Sequence, residues 1–294
     1  MWKRAIAAGA ATASIGLAVA MIATGPALAG PVSVKGITTH TVVATATAAA
    51  NITGEAEATC ATGELLVGGG YVVNSPATDW QVYDNGPFQG TTWLTEIINN
   101  DTSPLNFTAY AICATSAPGG NAISAYTTQT VTTAVDVPAN DTGAAAAVCP
   151  AGQLRTGGGY EVDNISSNWS IYSNAPISTD TWNVEIDNEV PSDTVIHSFA
   201  ICLARANSKP IANLTVSTLD TASSVPANGV QAADVSCGPD SLMTSGGHEM
   251  DSIGQEWVIQ ASAPLSSNDW QVGATSLDAN SRVFDSIAVC LAKA

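Results

Sequence analysis

The stretch Cys60–Tyr71, CATGELLVGGGY, returns at Cys149–Tyr160 as CPAGQLRTGGGY and at Cys237–His248 as CGPDSLMTSGGH. Each copy places a leucine five residues after its cysteine and a glycine-rich triplet just before an aromatic or imidazole side chain. Read outward, the register holds. Twenty residues after the cysteines stand Trp80, Trp169 and Trp257; twenty-seven after, Pro87, Pro176 and Pro264; thirty-three after, Trp93, Trp182 and Trp270. A second cysteine closes each copy 53 residues after the first, at Cys113, Cys202 and Cys290. Upstream, Asn51, Asn140 and Asn228 lie nine residues before the first cysteine. Trp and Cys are too rare to keep this register by chance, so the chain is a three-fold repeat of a unit of about 88 residues, within the usual size range of a domain. Gly-, Pro- and Ser-containing stretches at Ser116–Ser124 and Ala206–Asn213 separate the copies. They divide the chain into residues 30–118, 119–208 and 209–294.

Because every unit carries its own pair at one interval, the simplest pairing joins Cys60 to Cys113, Cys149 to Cys202 and Cys237 to Cys290. Each bridge would contribute about 4 kcal/mol in the chain-entropy account. Disulfides imply an oxidising compartment, and the N-terminus agrees. Lys3 and Arg4 precede an uncharged stretch from Ala5 to Ala23, and Ala27-Leu28-Ala29 forms a small-residue cleavage site before Gly30. This pattern predicts a signal peptide over residues 1–29 and a mature chain of 265 residues. Its Ala-rich, Lys-poor character is similar to the signals of high-GC Gram-positive bacteria.

Eight Lys and Arg against twenty-five Asp and Glu give a formal charge of −17, which becomes −19 once Lys3 and Arg4 are removed. Such a surface offers phosphate no electrostatic footprint, so nucleic acid is not the expected partner. No apolar run after the signal is long enough to span a membrane. The predicted location is secreted, either free outside the cell or associated with the cell wall.

Short Val/Ile/Thr/Trp/Tyr runs separated by turn residues predict an all-β unit. In the first copy strands are expected near Thr39–Ala44, Glu55–Cys60, Leu65–Val73, Trp80–Tyr83, Thr92–Ile98 and Asn106–Cys113. Alternation puts Trp80 with Val82, and Trp93 with Thr95 and Ile97, on core-facing sides. Phe107, Ala109, Ala111 and Cys113 share one face of the last strand and Tyr110 and Ile112 the other, as expected of a buried central strand. The glycine triplets are followed by no Lys-Ser/Thr pair, so they predict a bulge or a close backbone approach beneath a Trp ring rather than a phosphate loop. The fold expected is all-β, with three tandem β-sandwich-like repeats each stapled by one internal disulfide; a single three-fold β-prism is the alternative.

The binding candidates lie on the opposite faces: Tyr83, Asn85 and Glu96 in the first copy, and Tyr172, Asn174 and Glu185 in the second. A tyrosine beside amide and carboxylate groups suits sugar hydroxyls or a protein partner. The third copy has Gln260, Ser262 and Gly273 there. Catalysis is not expected. His40, His197 and His248 occupy non-equivalent positions, and neither GxSxG nor HExxH occurs. No CxxC pair and no repeated histidine points to zinc, the acidic run Glu185–Glu189 does not fit an EF-hand loop, and no cofactor is expected.

The string C-x-x-G-x-L-x-x-G-G-G-Y at Cys60–Tyr71, followed by W-x-V-Y-x-N-x-P, W-x-x-E-I and A-Y-A-I-C, resembles repeat modules of secreted actinobacterial proteins. That resemblance covers nearly the whole mature chain and implies no particular activity. A disulfide flanking a tryptophan is also similar to immunoglobulin-like sandwiches. Here, however, the tryptophan comes twenty residues after the cysteine, and Tyr110 lies three before the second cysteine where that family places its corner tyrosine two before. The β-prism of vitelline-membrane outer-layer-like proteins has shorter repeats than these. The function expected is a secreted, non-catalytic binding or envelope-associated protein, with a cell-wall glycan or surface protein as its partner. A spacer without a ligand and a glycan-active hydrolase are the alternatives.

Overall fold

The structure, a computed structural model, describes residues 33–75, 78–165, 168–253 and 257–294. The predicted signal peptide falls on residues 1–29, outside the described residues. Each copy of the repeat contributes six strands. In the first they are β1 (Ile37–Ala48), β2 (Ile52–Thr59), β3 (Leu65–Asn74), β4 (Trp80–Phe88), β5 (Thr92–Asn99) and β6 (Leu105–Ser116). A single 3-10 turn at Ala122–Ala125 precedes β7 (Tyr126–Val137), β8 (Asp141–Val148), β9 (Leu154–Val162), β10 (Trp169–Pro176), β11 (Thr181–Asn188) and β12 (Thr194–Arg205). The third copy supplies β13 (Leu214–Val225), β14 (Val230–Ser236), β15 (Ser241–Met250), β16 (Trp257–Pro264), β17 (Asp269–Ser276) and β18 (Arg282–Lys293). All six strands expected in the first copy are present. Most run further than the apolar pattern indicated, because their ends are held by pairing rather than by burial.

The chain is all-β, and each repeat is sandwich-like. In the first, the antiparallel half-sheet β1–β6–β3 packs on the half-sheet β2–β5–β4. The strand crosses between layers at the β1–β2 corner. There Asn51 adopts φ 57°, as its counterparts Asn140 and Asn228 do at 56° and 49°, a left-handed conformation that asparagine tolerates better than most residues. A buried amide fixes the corner: Asn99 Nδ2 donates to the carbonyls of Ala48, Ala49 and Ser103, and Asn188 does the same to Val137, Pro138 and Ser192. The disulfide joins the two layers, since Cys60 follows β2 and Cys113 lies in β6, with 5.6 Å between their Cα atoms. All six cysteines pair locally in this way.

The repeats do not stand in a row. Strand β3 of the first copy pairs with β16 of the third, β4 with β9 of the second, and β10 of the second with β15 of the third. Three six-stranded sheets result, each drawn half from one repeat and half from another: β1–β6–β3–β16–β17–β14 (sheet A), β2–β5–β4–β9–β12–β7 (sheet B) and β13–β18–β15–β10–β11–β8 (sheet C). Sandwich-like repeats thus close on one another about a pseudo-three-fold axis. The glycine triplet permits this. A Cβ on Gly157 would lie 2.6 Å from the Val67 carbonyl oxygen, and the first position of each triplet sits where β3, β9 and β15 converge. The second glycine lies beneath an indole ring, Gly69 under Trp93, Gly158 under Trp182 and Gly246 under Trp270. The third glycine meets the backbone of the neighbouring repeat, at Ser262, Asn85 and Asn174 in turn. The bulge expected beside the triplet is present as register shifts at Leu66/Gly68 and Met243/Ser245.

The core is continuous. Trp93, Trp169, Trp182, Trp270, Phe107 and Phe284 are fully buried, and Trp80 and Trp257 nearly so. Phe107, Ala109, Ala111, Cys113 and Ile112 are all buried, as expected of a strand lying between β1 and β3.

Candidate functional site

The six residues singled out for binding divide into two groups. Tyr83 and Glu96 lie side by side on sheet B, where burial and then the Glu96 charge push the tyrosine hydroxyl well above its ordinary value; Tyr83 itself is only 8% exposed. Tyr172 and Glu185 form the same pair on sheet C. The two asparagines go elsewhere. Alternation along β4 would carry Asn85 to the face of Tyr83, but a bulge between Val82 and Asp84 turns it inward, and a bulge between Ile171 and Ser173 does the same to Asn174. Each is 2% exposed and accepts a hydrogen bond from a core indole, Trp93 Nε1 to Asn85 at 2.8 Å and Trp182 Nε1 to Asn174 at 2.7 Å. They orient the core tryptophans.

Around the Tyr–Glu pairs the register assembles carboxylates that no single repeat contains. Across sheet B, Glu55, Glu96, Asp84 and Glu161 stand on four adjacent strands, with His197 opposite Glu161 on the fifth. Asp84 and Glu161 face each other over the seam between the first and second repeats. Burial, then the neighbouring Glu161 and Glu96 charges, push the Asp84 carboxyl up to about 8. Burial and Glu55 raise Glu96 as well. Sheet C carries Glu185, Ser173, Glu249 and Asp285 in the matching row. Burial and then Asp285 raise Glu249, and burial with the Glu185 charge beside it pushes the Tyr172 hydroxyl up to about 12. The same row of sheet A reads Gly273, Ala261, Val72, Thr108 and Thr45, without a charge. The sequence showed that Glu96 and Glu185 recur, but not Asp84 against Glu161, because that pairing exists only across a seam.

A second feature lies on the axis. A cavity of about 250 Å³ is lined by Tyr71, Tyr160 and His248 and by the equivalent Trp80, Trp169 and Trp257. Exposed Asp79, Asn168 and Leu277 border its mouth. The three residues that follow the glycine triplets reach across the seams. Tyr71 donates to the Ile259 carbonyl at 3.0 Å and Tyr160 to the Val82 carbonyl at 3.1 Å, while His248 faces Ile171. The register of these residues was plain in the sequence; their convergence was not.

Among the described residues His40, Glu64 and Cys113 come close enough to suggest a metal, but the Cys113 sulfur is committed to its disulfide. No helix among the described residues is long and apolar enough to cross a membrane. No protein-family model matches the chain, and no curated protein matches it.

Proposed function

We propose that this chain is an exported, non-catalytic protein that binds a hydroxylated glycan of the cell envelope at the outer faces of sheets B and C. The observation that carries this reading is the recurrence of a Tyr–Glu pair at equivalent positions on those two faces, each flanked across a seam by further carboxylates, with sheet A blank. Crowded carboxylates seek hydrogen-bond donors, which sugar hydroxyls supply, and on sheet C the half-buried Tyr172 offers a flat apolar edge beside them. Three local disulfides suit an oxidising exterior. The shared sheets disfavour an extended spacer.

The test is retention on purified cell wall by the wild-type protein and by a variant combining Tyr172→Phe, Glu185→Gln and Glu96→Gln. Loss of retention with an unchanged circular dichroism spectrum is expected. Equal retention overturns the reading, and retention abolished by modest salt on a basic protein fraction would replace the glycan with a protein partner.

One observation favours hydrolysis as a second reading. A carboxyl held protonated beside ionisable neighbours, as Asp84 is beside Glu161 and Glu96, is what a general acid requires. Release of reducing ends from cell-wall glycan, lost in Asp84→Asn, would establish it.

A further inference from the structure

On sheet B the residue at the centre of the carboxylate row differs from its counterparts. Asp84 is 8% exposed, and its carboxylate makes no hydrogen bond among the described residues. It points outward over Gly86, with Oδ1 3.5 Å from the place a Cβ would take there, and the Phe199 ring of the neighbouring repeat lies over the same glycine, 2.7 Å from that place. The other repeats carry Ser173 and Ala261 for the aspartate, and Ala175 and Ala263 for the glycine. Half-buried Glu96 and Glu161 flank Asp84 on the adjacent strands, about 5 Å to either side. On sheet C the Asn183 amide donates to Glu185 at 2.9 Å, but Leu94 holds that place on sheet B. His197, opposite Glu161, is engaged with Asp163 at 3.0 Å. No lysine or arginine stands in the row. A buried acid, two further carboxylates and an aromatic ring thus stand together with no cation of the protein among them.

We propose that this point of sheet B receives a primary ammonium group carried on a sugar ring, so that the glycan bound there is an amino sugar whose nitrogen is not acetylated. The inference rests on the glycan reading of the outer faces and narrows it. An ammonium offers three donors to three carboxylates, is attracted by an aromatic face, and forms charge-assisted bonds stronger than those of a hydroxyl. A neutral acetamide would leave the crowded acids uncompensated. A bare divalent ion suits the row less well, because its ligand atoms must gather round one centre. Among the described residues, His40, Glu64 and Cys113 are the group that brings three such atoms within 4.8 Å of one another. Binding also frees a proton. Burial, Glu161 and Glu96 keep the unliganded Asp84 carboxyl protonated, and an ammonium beside it holds it ionised. The other ionisable groups around it are Tyr83 on β4, Glu55 on β2, Tyr160 on β9 and His197 on β12.

The experiment titrates the intact protein with a tetramer of β-1,4-linked glucosamine and with its fully N-acetylated counterpart. Calorimetry at about pH 6.5, in two buffers of different ionisation heat, reads affinity and proton release together. The glucosamine tetramer should bind roughly tenfold tighter or more and release about one proton per site. Asp84→Ser installs the second repeat's side chain and removes a buried acid, so its thermal midpoint should hold, while the preference and the proton release should vanish. Asp84→Asn gives the same reading should the serine variant melt lower. The proposal is overturned, with the glycan reading intact, if both tetramers bind alike or if the preference survives in both variants. It is overturned equally if calcium ions, and not the amine, bind in an Asp84-dependent way. If neither tetramer binds and the outer-face variant is retained on cell wall as the wild type is, the glycan reading falls with it.

Discussion

Individual residues in the third repeat show what the other two gain from their polar pairings. Trp270 occupies the place of Trp93 and Trp182, but Ser262 replaces the asparagine, and both the Trp270 Nε1 and the Ser262 hydroxyl are buried without partners. Ser262→Asn should restore the bond and stabilise the protein by about 1 kcal/mol, read as a rise in thermal midpoint. The second repeat has the opposite problem. Arg155 is fully buried where its counterparts are Leu66 and Met243. It bonds the Ser178 carbonyl at 3.3 Å and lies over the Trp182 ring at 5.5 Å, while two of its nitrogens lack partners. Removing a buried, poorly paired charge in favour of an apolar side chain is often stabilising. Arg155→Met should therefore raise stability by about 1–2 kcal/mol in denaturant titration. Gly158→Ala should do the reverse, since the added methyl would enter the Trp182 ring; a loss of roughly 3 kcal/mol or more is expected from such overpacking.

At the scale of strands, the seam between β4 and β9 is held by few backbone pairs and carries Asp84 against Glu161. Glu96 faces Asp84 from β5, and Tyr160 and His197 complete its ionisable surroundings from β9 and β12. The folded Asp84 binds its proton more tightly than the unfolded chain does, with a value near 8 against an ordinary 3.8. Its contribution to stability is thus whole below pH 4 and declines as pH rises through 8. The thermal midpoint should fall by several degrees between pH 5 and pH 8.5, and Asp84→Asn should flatten that decline. An unaltered slope in the variant would remove Asp84 as its source. The elements themselves were legible because their causes are local: six apolar runs, and glycines spaced for a ring above them. The inward turn of Asn85 and Asn174 was not, because a single bulged residue reverses every later face of a strand. Asn99 and Asn188 were also missed, although both stand 39 residues after the first cysteine.

For the whole molecule, the repeat in the sequence determined the number of units and their disulfides, but left open whether the units stand in a row or close into a ring. Spacing within a repeat is local information. The pairing of β3 with β16 joins residues nearly two hundred positions apart, and nothing in either strand alone specifies its partner. What tips the balance is the glycine triplet, whose third member lets a neighbouring repeat's backbone approach where any side chain would hold it off. The ring also creates the carboxylate row of sheet B, so the proposed glycan site there depends on it. Small-angle scattering on a monomeric chain beginning at Gly30 measures this most directly. A closed body of 265 residues should give a radius of gyration of about 18 Å. A value of about 27 Å, expected of three separate 88-residue bodies in a row, would contradict the shared sheets.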